Sequence, residues 1–222
     1  MERGVFWSLV MVALALYFST NPVHVAFFLM AAGLTLGLSV VETSYAMAYR
    51  DDLTGLPARR ALVRDLEGLG GTYTAAMVDV DHFKKFNDRY GHDVGDQVLR
   101  MVATRLERGP GGGRAYRYGG EEFTLLYSGK TKQEVLPLLE EVRAAVEAAS
   151  FTLRGWRRPR KRPVHAGPWK SEEAEKTKEL SVTVSIGVAD SAGTESTTEA
   201  VLKKADRALY RAKKAGRNRV AK

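Results

Sequence analysis

The sequence contains no cysteine among its 222 residues. This absence excludes a disulfide framework and any metal site built on thiolates, and it fits a reducing compartment. Histidine is scarce as well: the four histidines show no zinc-like pairing. Acidic residues are outnumbered, with 26 Asp and Glu against 34 Lys and Arg, which gives a formal net charge of +8. A nucleic acid, a nucleotide substrate or an anionic membrane surface would each explain this basic excess.

Charged residues are also missing from Val5 to Val41. Two apolar runs, Val5–Phe18 and Val23–Val41, are separated by a turn-like Ser-Thr-Asn-Pro segment. A membrane-spanning helix needs about 20 apolar residues, so the second run is long enough and the first is short. A signal peptide is disfavoured because no small-residue cleavage site follows the first run. A buried core hairpin remains the alternative to a two-helix transmembrane anchor over residues 1–41.

Positive residues flank the two apolar runs. Arg3 precedes the first run, and Arg50, Arg59 and Arg60 follow the second. Because positive charge favours the cytoplasmic side, both ends of the hairpin are predicted to face the cytoplasm. Residues 42–51 are predicted to form a linker helix that leads directly into a domain over residues 52–222, with no room for a sensor domain between them.

The domain alternates helical and extended patterns. A buried strand is predicted over Tyr73–Val80, and aromatic, Thr and Leu residues predict a hairpin around residues 114–127. A further β-rich run covers Leu180–Ala189. Apolar residues at helical spacing predict helices near residues 58–67, 94–106, 131–149 and 199–214. This alternation predicts an α/β fold with a mixed central sheet flanked by helices.

Acidic residues occur at two turns of this fold. The predicted hairpin carries Glu121 and Glu122 directly after two glycines, and Asp79 lies where the predicted strand leaves the sheet. Adjacent carboxylates repel each other, so an oxygen-coordinated cation such as Mg²⁺ fits them. With Lys84 close behind Asp79, the pattern is typical of a metal–triphosphate site. The alternatives are an ordinary solvated turn and aspartates that only cap a helix.

The motifs in their order resemble the GGDEF family of diguanylate cyclases. Any one motif alone would be a weak signal, whereas several in one order over most of the chain are a strong one. The matching segments are Asp52–Leu56, Asp79–Asp88, Tyr90–Asp96, Gly119–Phe123, Ser185–Ala189, Ala205–Tyr210 and Gly216–Asn218.

The resemblance implies an enzyme that joins two GTP molecules into cyclic di-GMP and releases two pyrophosphates. It implies a homodimer, because each subunit holds one GTP, and Mg²⁺ as cofactor, with Mn²⁺ as a possible substitute. The implied metal ligands are Asp79, the Val80 carbonyl, Glu121 and Glu122. Glu121 would also be the base, and Lys84 would stabilise the phosphoryl transition state.

The resemblance also assigns substrate-binding residues. Asn87 and Asp96 match the pair that recognises guanine, and His92 lies close to them in sequence. Lys213 and Arg217 match contacts to the phosphates, and Phe83 would position the loop whose backbone N–H groups meet them. The implied location is the bacterial inner membrane, with the catalytic domain in the cytoplasm. No nucleic acid partner is expected.

One segment departs from the family pattern. Many members carry an Arg-x-x-Asp inhibitory site for the product just before the hairpin, and here those positions are Pro110 and Gly113. The glycine-rich run around them is predicted to be a flexible connection. A basic insertion near residues 154–178 is interpreted as a solvated loop, with lipid or nucleic acid binding as the other interpretation. A degenerate module that only senses GTP or cyclic di-GMP remains the alternative function.

Overall fold

The computed structural model describes residues 2–153, 178–192 and 197–222. The helices are α1 (Glu2–Tyr17), α2 (Pro22–Tyr49), α3 (Arg59–Glu67), α4 (Phe83–Tyr90), α5 (His92–Glu107), α6 (Lys132–Glu147) and α7 (Thr198–Lys214). The strands are β1 (Tyr73–Val80), β2 (Arg114–Gly119), β3 (Glu122–Ser128), β4 (Phe151–Leu153), β5 (Lys178–Leu180), β6 (Val184–Asp190) and β7 (Val220–Ala221).

Five strands form the main sheet in the order β2-β3-β1-β6-β7. β1 is central and antiparallel to both β3 and β6, while β6 and β7 are parallel. This confirms the predicted mixed sheet and the strand at Tyr73–Val80. β4 and β5 form a separate two-stranded sheet. The basic insertion predicted between them lies outside the described residues, except for Lys178 at the start of β5.

Helices cover both faces of the sheet, which is why every residue of β1 is buried. On one face, Val78 and Val80 lie in a core cluster with residues of α5 and α6. On the other face, Ala75 and Met77 belong to a cluster with residues of α3 and α7. Successive residues of β1 therefore alternate between two cores, as side chains on a strand must.

Gly187 of β6 allows α7 to lie very close to the sheet. A Cβ atom at this position would come within 2.0 Å of the Leu209 backbone nitrogen and 2.3 Å of the Ala205 carbonyl oxygen. Only glycine fits such an approach of helix backbone to strand. The close packing fixes the position of the C-terminal end of α7 relative to the ends of β1 and β6.

The N-terminal helices pack against each other as a hairpin. Gly4 near the start of α1 lies against Ser39 in the second half of α2, so the two helices run antiparallel. Most of their large apolar side chains remain exposed, including Phe6, Trp7, Phe27, Met30, Leu34 and Val41. By length and composition, α2 is the one described helix that is long and apolar enough to cross a membrane. α1, with 16 residues, spans about 24 Å, which is shorter than a bilayer core.

Helix α2 continues without a break through the predicted linker to Tyr49. Its last turns pack on the domain: the rings of Tyr45 and Tyr49 stack with centroids 4.4 Å apart. The guanidinium of Arg64 in α3 lies 5.1 Å from the Tyr49 ring centroid and donates a hydrogen bond to the Tyr45 hydroxyl. The apolar helix is thus joined directly to the folded domain.

Candidate active site

The end of β1 and the β2–β3 turn place three acids side by side. Asp79 and Glu122 are directly opposite each other in the antiparallel register of β1 and β3. The backbone N–H of Val80 donates to the carbonyl of Glu121 at 3.3 Å. Gly120 adopts a positive φ of 44°, which the tight turn requires and glycine accommodates without strain. The predicted metal ligands are therefore brought together, although they are more than forty positions apart in sequence.

The electrostatics of this cluster disfavour its negative charge. Burial raises the pKa of Asp79, and the nearby carboxylate of Asp81 raises it further, against the opposing effect of Lys213. Burial also raises the pKa of Glu121 and of Glu122, and the charge of Asp79 adds to both shifts. A nearby cation would stabilise the ionised form of acids held together in this way.

The C-terminal end of α7 supplies positive charge to the cluster. Lys213 Nζ lies 2.7 Å from Asp79 Oδ2, and the Asp79 side chain is only 6% exposed. Arg217, just beyond α7, also lowers the pKa of Asp79. The structure thus brings Lys213 and Arg217 to the acids, at the place where a bound phosphate chain would need cations.

The donor set fits Mg²⁺. No group of three or more His, Cys, Asp or Glu side chains in the described ranges converges closely enough to hold a metal ion alone. Mg²⁺ is usually held by one or two carboxylates together with substrate phosphates and water. The carboxylates of Asp79, Glu121 and Glu122 are oxygen donors of this kind, and their raised pKa values show that a cation would lower the energy of the cluster.

A second group of predicted residues lies on α4 and α5. Phe83 is buried at the first turn of α4, and Asn87 is on the same helix, while His92 and Asp96 lie on the first turns of α5. The side chains of Lys84, His92 and Asp96 form no hydrogen bond or ion pair with other residues in the part of the chain described here.

Asn87 of α4 packs against Gly95 of α5. Its Oδ1 atom is buried and has no hydrogen-bond partner among the described residues. A Cβ atom at position 95 would lie 1.9 Å from that oxygen, so Gly95 leaves the space that the amide fills. A buried amide oxygen without a partner is an acceptor site for an N–H or O–H donor of a ligand.

Sequence reasoning missed two residues that support the hairpin, Asp51 and Arg117. Arg117 Nη1 lies 2.7 Å from Asp51 Oδ1, and Arg117 Nη2 donates to the Gly120 carbonyl at 2.8 Å. Burial alone would raise the pKa of Asp51, but hydrogen bonds from Thr54 and Arg117 outweigh it and lower the pKa. The ion pair ties the chain just after α2 to the tip of the acidic turn. No local sequence signal distinguishes this pair from other surface charges.

The glycine-rich run before β2, predicted to be a flexible connection, contains a short turn with close contacts to the domain. Residues Pro110–Gly112 form a short 3₁₀ turn packed against α6 and β3. A Cβ atom on Gly111 would lie 2.3 Å from Leu138, and one on Gly113 would lie 2.5 Å from the Tyr127 ring. Close packing on the Tyr127 ring favours glycine at 113, and positive φ values favour it at 111 and 112.

The fold and the acid cluster together define an α/β domain of the nucleotide-cyclase-like class. The family model described as "Diguanylate cyclase, GGDEF domain" matches residues 48–219. The chain therefore belongs to the GGDEF family.

The relatives of the chain are diguanylate cyclases and a response regulator. It is 37% identical over 191 residues to the response regulator PleD of Caulobacter vibrioides, covering 81% of this chain and 37% of PleD. It is 37% identical over 190 residues to diguanylate cyclase DgcP of Pseudomonas aeruginosa, covering 82% of this chain and 25% of DgcP. The chain thus spans well under half the length of these two relatives.

One solved structure extends the likeness beyond the catalytic domain. The coiled coil and GGDEF domain of DgcB from Caulobacter crescentus, in complex with c-di-GMP, superimposes with a TM-score of 0.73 at 31% identity. The match covers 90% of this chain and 99% of that one. The GGDEF domain of DgcB alone matches 78% of this chain with a TM-score of 0.63. The larger structure therefore also corresponds to part of the N-terminal helices.

Proposed function

We propose that the chain is a diguanylate cyclase, which condenses two GTP molecules into cyclic di-GMP and releases two pyrophosphates. The observation that carries this proposal is the meeting of Asp79, Glu121 and Glu122 at the β1 end and the β2–β3 turn, with Lys213 ion-paired to Asp79. The homology to diguanylate cyclases over most of the chain supports the same activity.

In the proposed reaction, the 3′-hydroxyl of one GTP attacks the α-phosphorus of the other. The new bond joins that oxygen to phosphorus, and the bond from the α-phosphorus to pyrophosphate breaks. Glu121 takes the hydroxyl proton. Burial raises the pKa of Glu121 toward neutral pH, and a carboxylate with a higher pKa is a stronger base. Lys84 and Lys213 stabilise negative charge on the phosphates.

Asp79, the Val80 carbonyl, Glu121 and Glu122 are the groups proposed to hold Mg²⁺. A bound Mg²⁺ lowers the pKa of a coordinated hydroxyl and neutralises charge on the phosphates. The protein side chains are proposed to orient the triphosphate. Arg217 adds a second cation, after Lys213, beside Asp79.

Guanine is proposed to bind beside α4 and α5, at Asn87 and Asp96. Asp96 would accept from the ring N–H and exocyclic amine of guanine, and the partnerless Asn87 Oδ1 offers a further acceptor. His92 lies at the exposed start of α5, close to Asp96 in sequence. The Phe83 ring packs toward Gly95 of the same helix. Adenine offers no matching donor pair, so the proposed substrate is GTP and not ATP.

The two N-terminal helices are proposed to anchor residues 1–41 in the bacterial inner membrane, with the domain of residues 52–222 in the cytoplasm. The exposed apolar surface of α1 and α2 supports this assignment. The DgcB match favours a second role for α2, as a coiled coil between two chains. In either case α2 would bring two domains together, and the proposed active form is a homodimer because each domain binds one GTP.

Purified full chain incubated with GTP and Mg²⁺ tests the activity. We expect cyclic di-GMP and pyrophosphate in a 1:2 ratio, detected by chromatography, and no cyclic product from ATP. Mn²⁺ is expected to replace Mg²⁺. Binding of GTP without any cyclic product would instead identify a sensor module.

A further inference from the structure

Asp81 follows Asp79 closely in the chain, but both of its carboxylate oxygens accept hydrogen bonds from the protein. It lies two residues after Asp79 and is only 7% exposed. Its Oδ1 accepts from the Ser185 hydroxyl at 2.7 Å. Its Oδ2 accepts from the Thr183 hydroxyl at 2.7 Å and from the backbone N–H of Asn218 at 3.1 Å. These three donors use three of the roughly four acceptor sites of the carboxylate, so Asp81 serves mainly to hold protein segments together.

The segment that Asp81 holds follows α7 and has an unusual backbone. Gly216 has a φ of 108°, and the Arg217 N–H donates to the Ala212 carbonyl at 3.0 Å, which is the hydrogen bond of a Schellman helix end. Arg217 and Asn218 then also adopt positive φ values, 61° and 46°. Two consecutive non-glycine residues in this region are rare and persist only when surrounding contacts enforce them.

The Asn218 side chain is held from the opposite direction. Arg143 Nη1 donates to Asn218 Oδ1 at 2.8 Å, and Asn218 Nδ2 donates to Glu147 Oε1 at 2.7 Å. Both partners lie on α6. Asn218 is thus clamped by the end of β1 through its backbone and by α6 through its amide, which leaves the direction of the preceding residue, Arg217, little freedom.

We infer that Asp81 is a positioning residue that acts through Asn218 to hold Arg217 toward the phosphates of the nucleotide. This inference rests on the proposed function. Arg217 directly precedes Asn218, which is bonded to Asp81, and it follows Lys213, whose ammonium lies 2.7 Å from Asp79 Oδ2, so this segment lies beside the acid cluster. The clamp keeps a long, flexible cation in place before substrate arrives, which lowers the entropy lost on binding.

A double-mutant cycle with Asp81→Asn and Arg217→Ala tests the inference. Asparagine at position 81 keeps one oxygen for Ser185 and an amide donor for Thr183, but it has no second oxygen for Asn218. The matched control is Asp190→Asn, because Asp190 at the far end of β6 accepts a backbone N–H of Lys132 at the same distance of 3.1 Å. Binding of a GTP analogue with a non-cleavable α–β bridge is measured by calorimetry in the full chain with Mg²⁺.

We expect Asp81→Asn to weaken analogue binding by about tenfold when Arg217 is present, the scale of one charge-assisted phosphate contact. In the Arg217→Ala background the same change should have almost no effect, and Asp190→Asn should leave binding unchanged in both. Hydrogen exchange of the Asn218 backbone N–H should accelerate in Asp81→Asn and stay slow in Asp190→Asn.

Additive effects of Asp81→Asn and Arg217→Ala would overturn the inference. So would a shift in the Mg²⁺ concentration for half-maximal binding without a change in analogue affinity, since that result identifies a metal ligand. If Asp81→Asn does not fold, Asn218→Gly replaces it: glycine keeps the positive φ but loses both α6 contacts, and the same lack of additivity is expected. An analogue that fails to bind the unaltered chain would instead refute the proposed function.

Discussion

At the scale of single residues, Asp79 is a buried carboxylate that faces the charges of Asp81, Glu121 and Glu122. Lys213 partly compensates this charge through its ion pair. The ammonium of Lys213 is also the proposed phosphate contact, so in this proposal one cation would pair with the acids before substrate binds and with the phosphates afterwards. Such a cluster costs stability at neutral pH, which is common where geometry is set by function.

Glu121→Gln should reduce cyclic di-GMP production by roughly 10²–10⁴-fold, because it removes the proposed base. It should not lower the thermal midpoint at neutral pH. The folded-state pKa of Glu121 is raised above 4.5, so its ionised form destabilises the fold above both pKa values. We expect any gain in midpoint from Gln to disappear as the pH falls below 4.5, where the wild-type side chain is protonated in both states.

Glu134→Gln is the matched control, because its pKa is lowered by hydrogen bonds from Thr131. Its stabilising effect is present above 4.5 and is lost as the pH falls through the folded-state pKa. This variant should therefore lose stability at neutral pH and keep full activity. A lower midpoint for Glu121→Gln at pH 7 would contradict the electrostatic account of the cluster.

Asp96→Ala should weaken discrimination of GTP against ATP by about 10²-fold, because a polar group that matches the guanine edge is lost. The ratio of kcat/KM for the two nucleotides measures this effect. Asp93→Ala, three residues earlier on the exposed surface of α5, is the control and should leave the ratio unchanged. Turnover of ATP by the unaltered chain would show that these residues are wrongly assigned.

At the scale of secondary-structure elements, the β2–β3 hairpin is held by contacts at its tip and at the turn that precedes it. Arg117 connects its tip to Asp51, and the turn before it packs tightly on Leu138 and Tyr127. Burial raises the pKa of Tyr127 to about 12, which keeps its hydroxyl neutral beneath this turn. The acids therefore sit on a rigid support, which suits a site whose charges must be placed in advance.

The family's inhibitory site should be absent here and should not be restored by substitution. Pro110 and Gly113 replace its Arg and Asp, and a side chain at position 113 would collide with the Tyr127 ring. We expect no saturable cyclic di-GMP binding at this turn. Gly113→Asp should cost about 1–3 kcal/mol of unfolding free energy, measured with urea, because the core there is already filled.

The combined variant Pro110→Arg with Gly113→Asp tests whether the inhibitory site can be restored. In a chain with room at this turn it would create product inhibition, whereas here the proposed cyclase activity should stay uninhibited at micromolar product. Pro110→Ala is the control, because it removes the proline without adding an arginine. Tight product binding that depends on residues 109–113 in the unaltered chain would refute the prediction.

At the scale of the whole molecule, α2 links an exposed apolar hairpin to the catalytic domain through one uninterrupted helix. Its last turns contact α3 through Tyr45 and Tyr49, and the following Asp51 reaches Arg117. A rotation or displacement of α2 would therefore reach the acidic turn through a short series of contacts. Gly33 and Gly37 are exposed on α2 with open space beside them, which suits close approach of a second helix.

A chain shortened to begin at Glu42 should keep the Tyr45 and Tyr49 contacts and fold normally. We expect it to be mostly monomeric at low concentration, with specific activity that rises steeply with protein concentration. The full chain in detergent should show constant specific activity, because the helices raise the effective concentration of the partner toward the millimolar range. Sedimentation and activity assays on the same samples measure both quantities. Equal, concentration-independent activity would leave the hairpin as an anchor only.

Local signals in the sequence were sufficient for much of the architecture. The buried strand at Tyr73–Val80, the hairpin before Phe123 and the amphipathic helices follow from side-chain periodicity and glycine turns, which depend on near neighbours. The acids Asp79, Glu121 and Glu122 were candidates because two acidic segments, each with an ordinary structural explanation on its own, occur together with the other motifs in the family's order.

Only the tertiary structure decided which charges support the site. Lys213 against Asp79, Arg117 against Asp51 and Asp81 against Asn218 join positions far apart in the chain, at places where packing and burial make each contact strong. The glycines at 111 and 113 suggested a flexible connection because glycine permits many conformations, yet a Cβ atom at these positions would meet Leu138 or the Tyr127 ring. Local patterns thus determined the elements and the acids, and long-range packing determined how rigidly they are held.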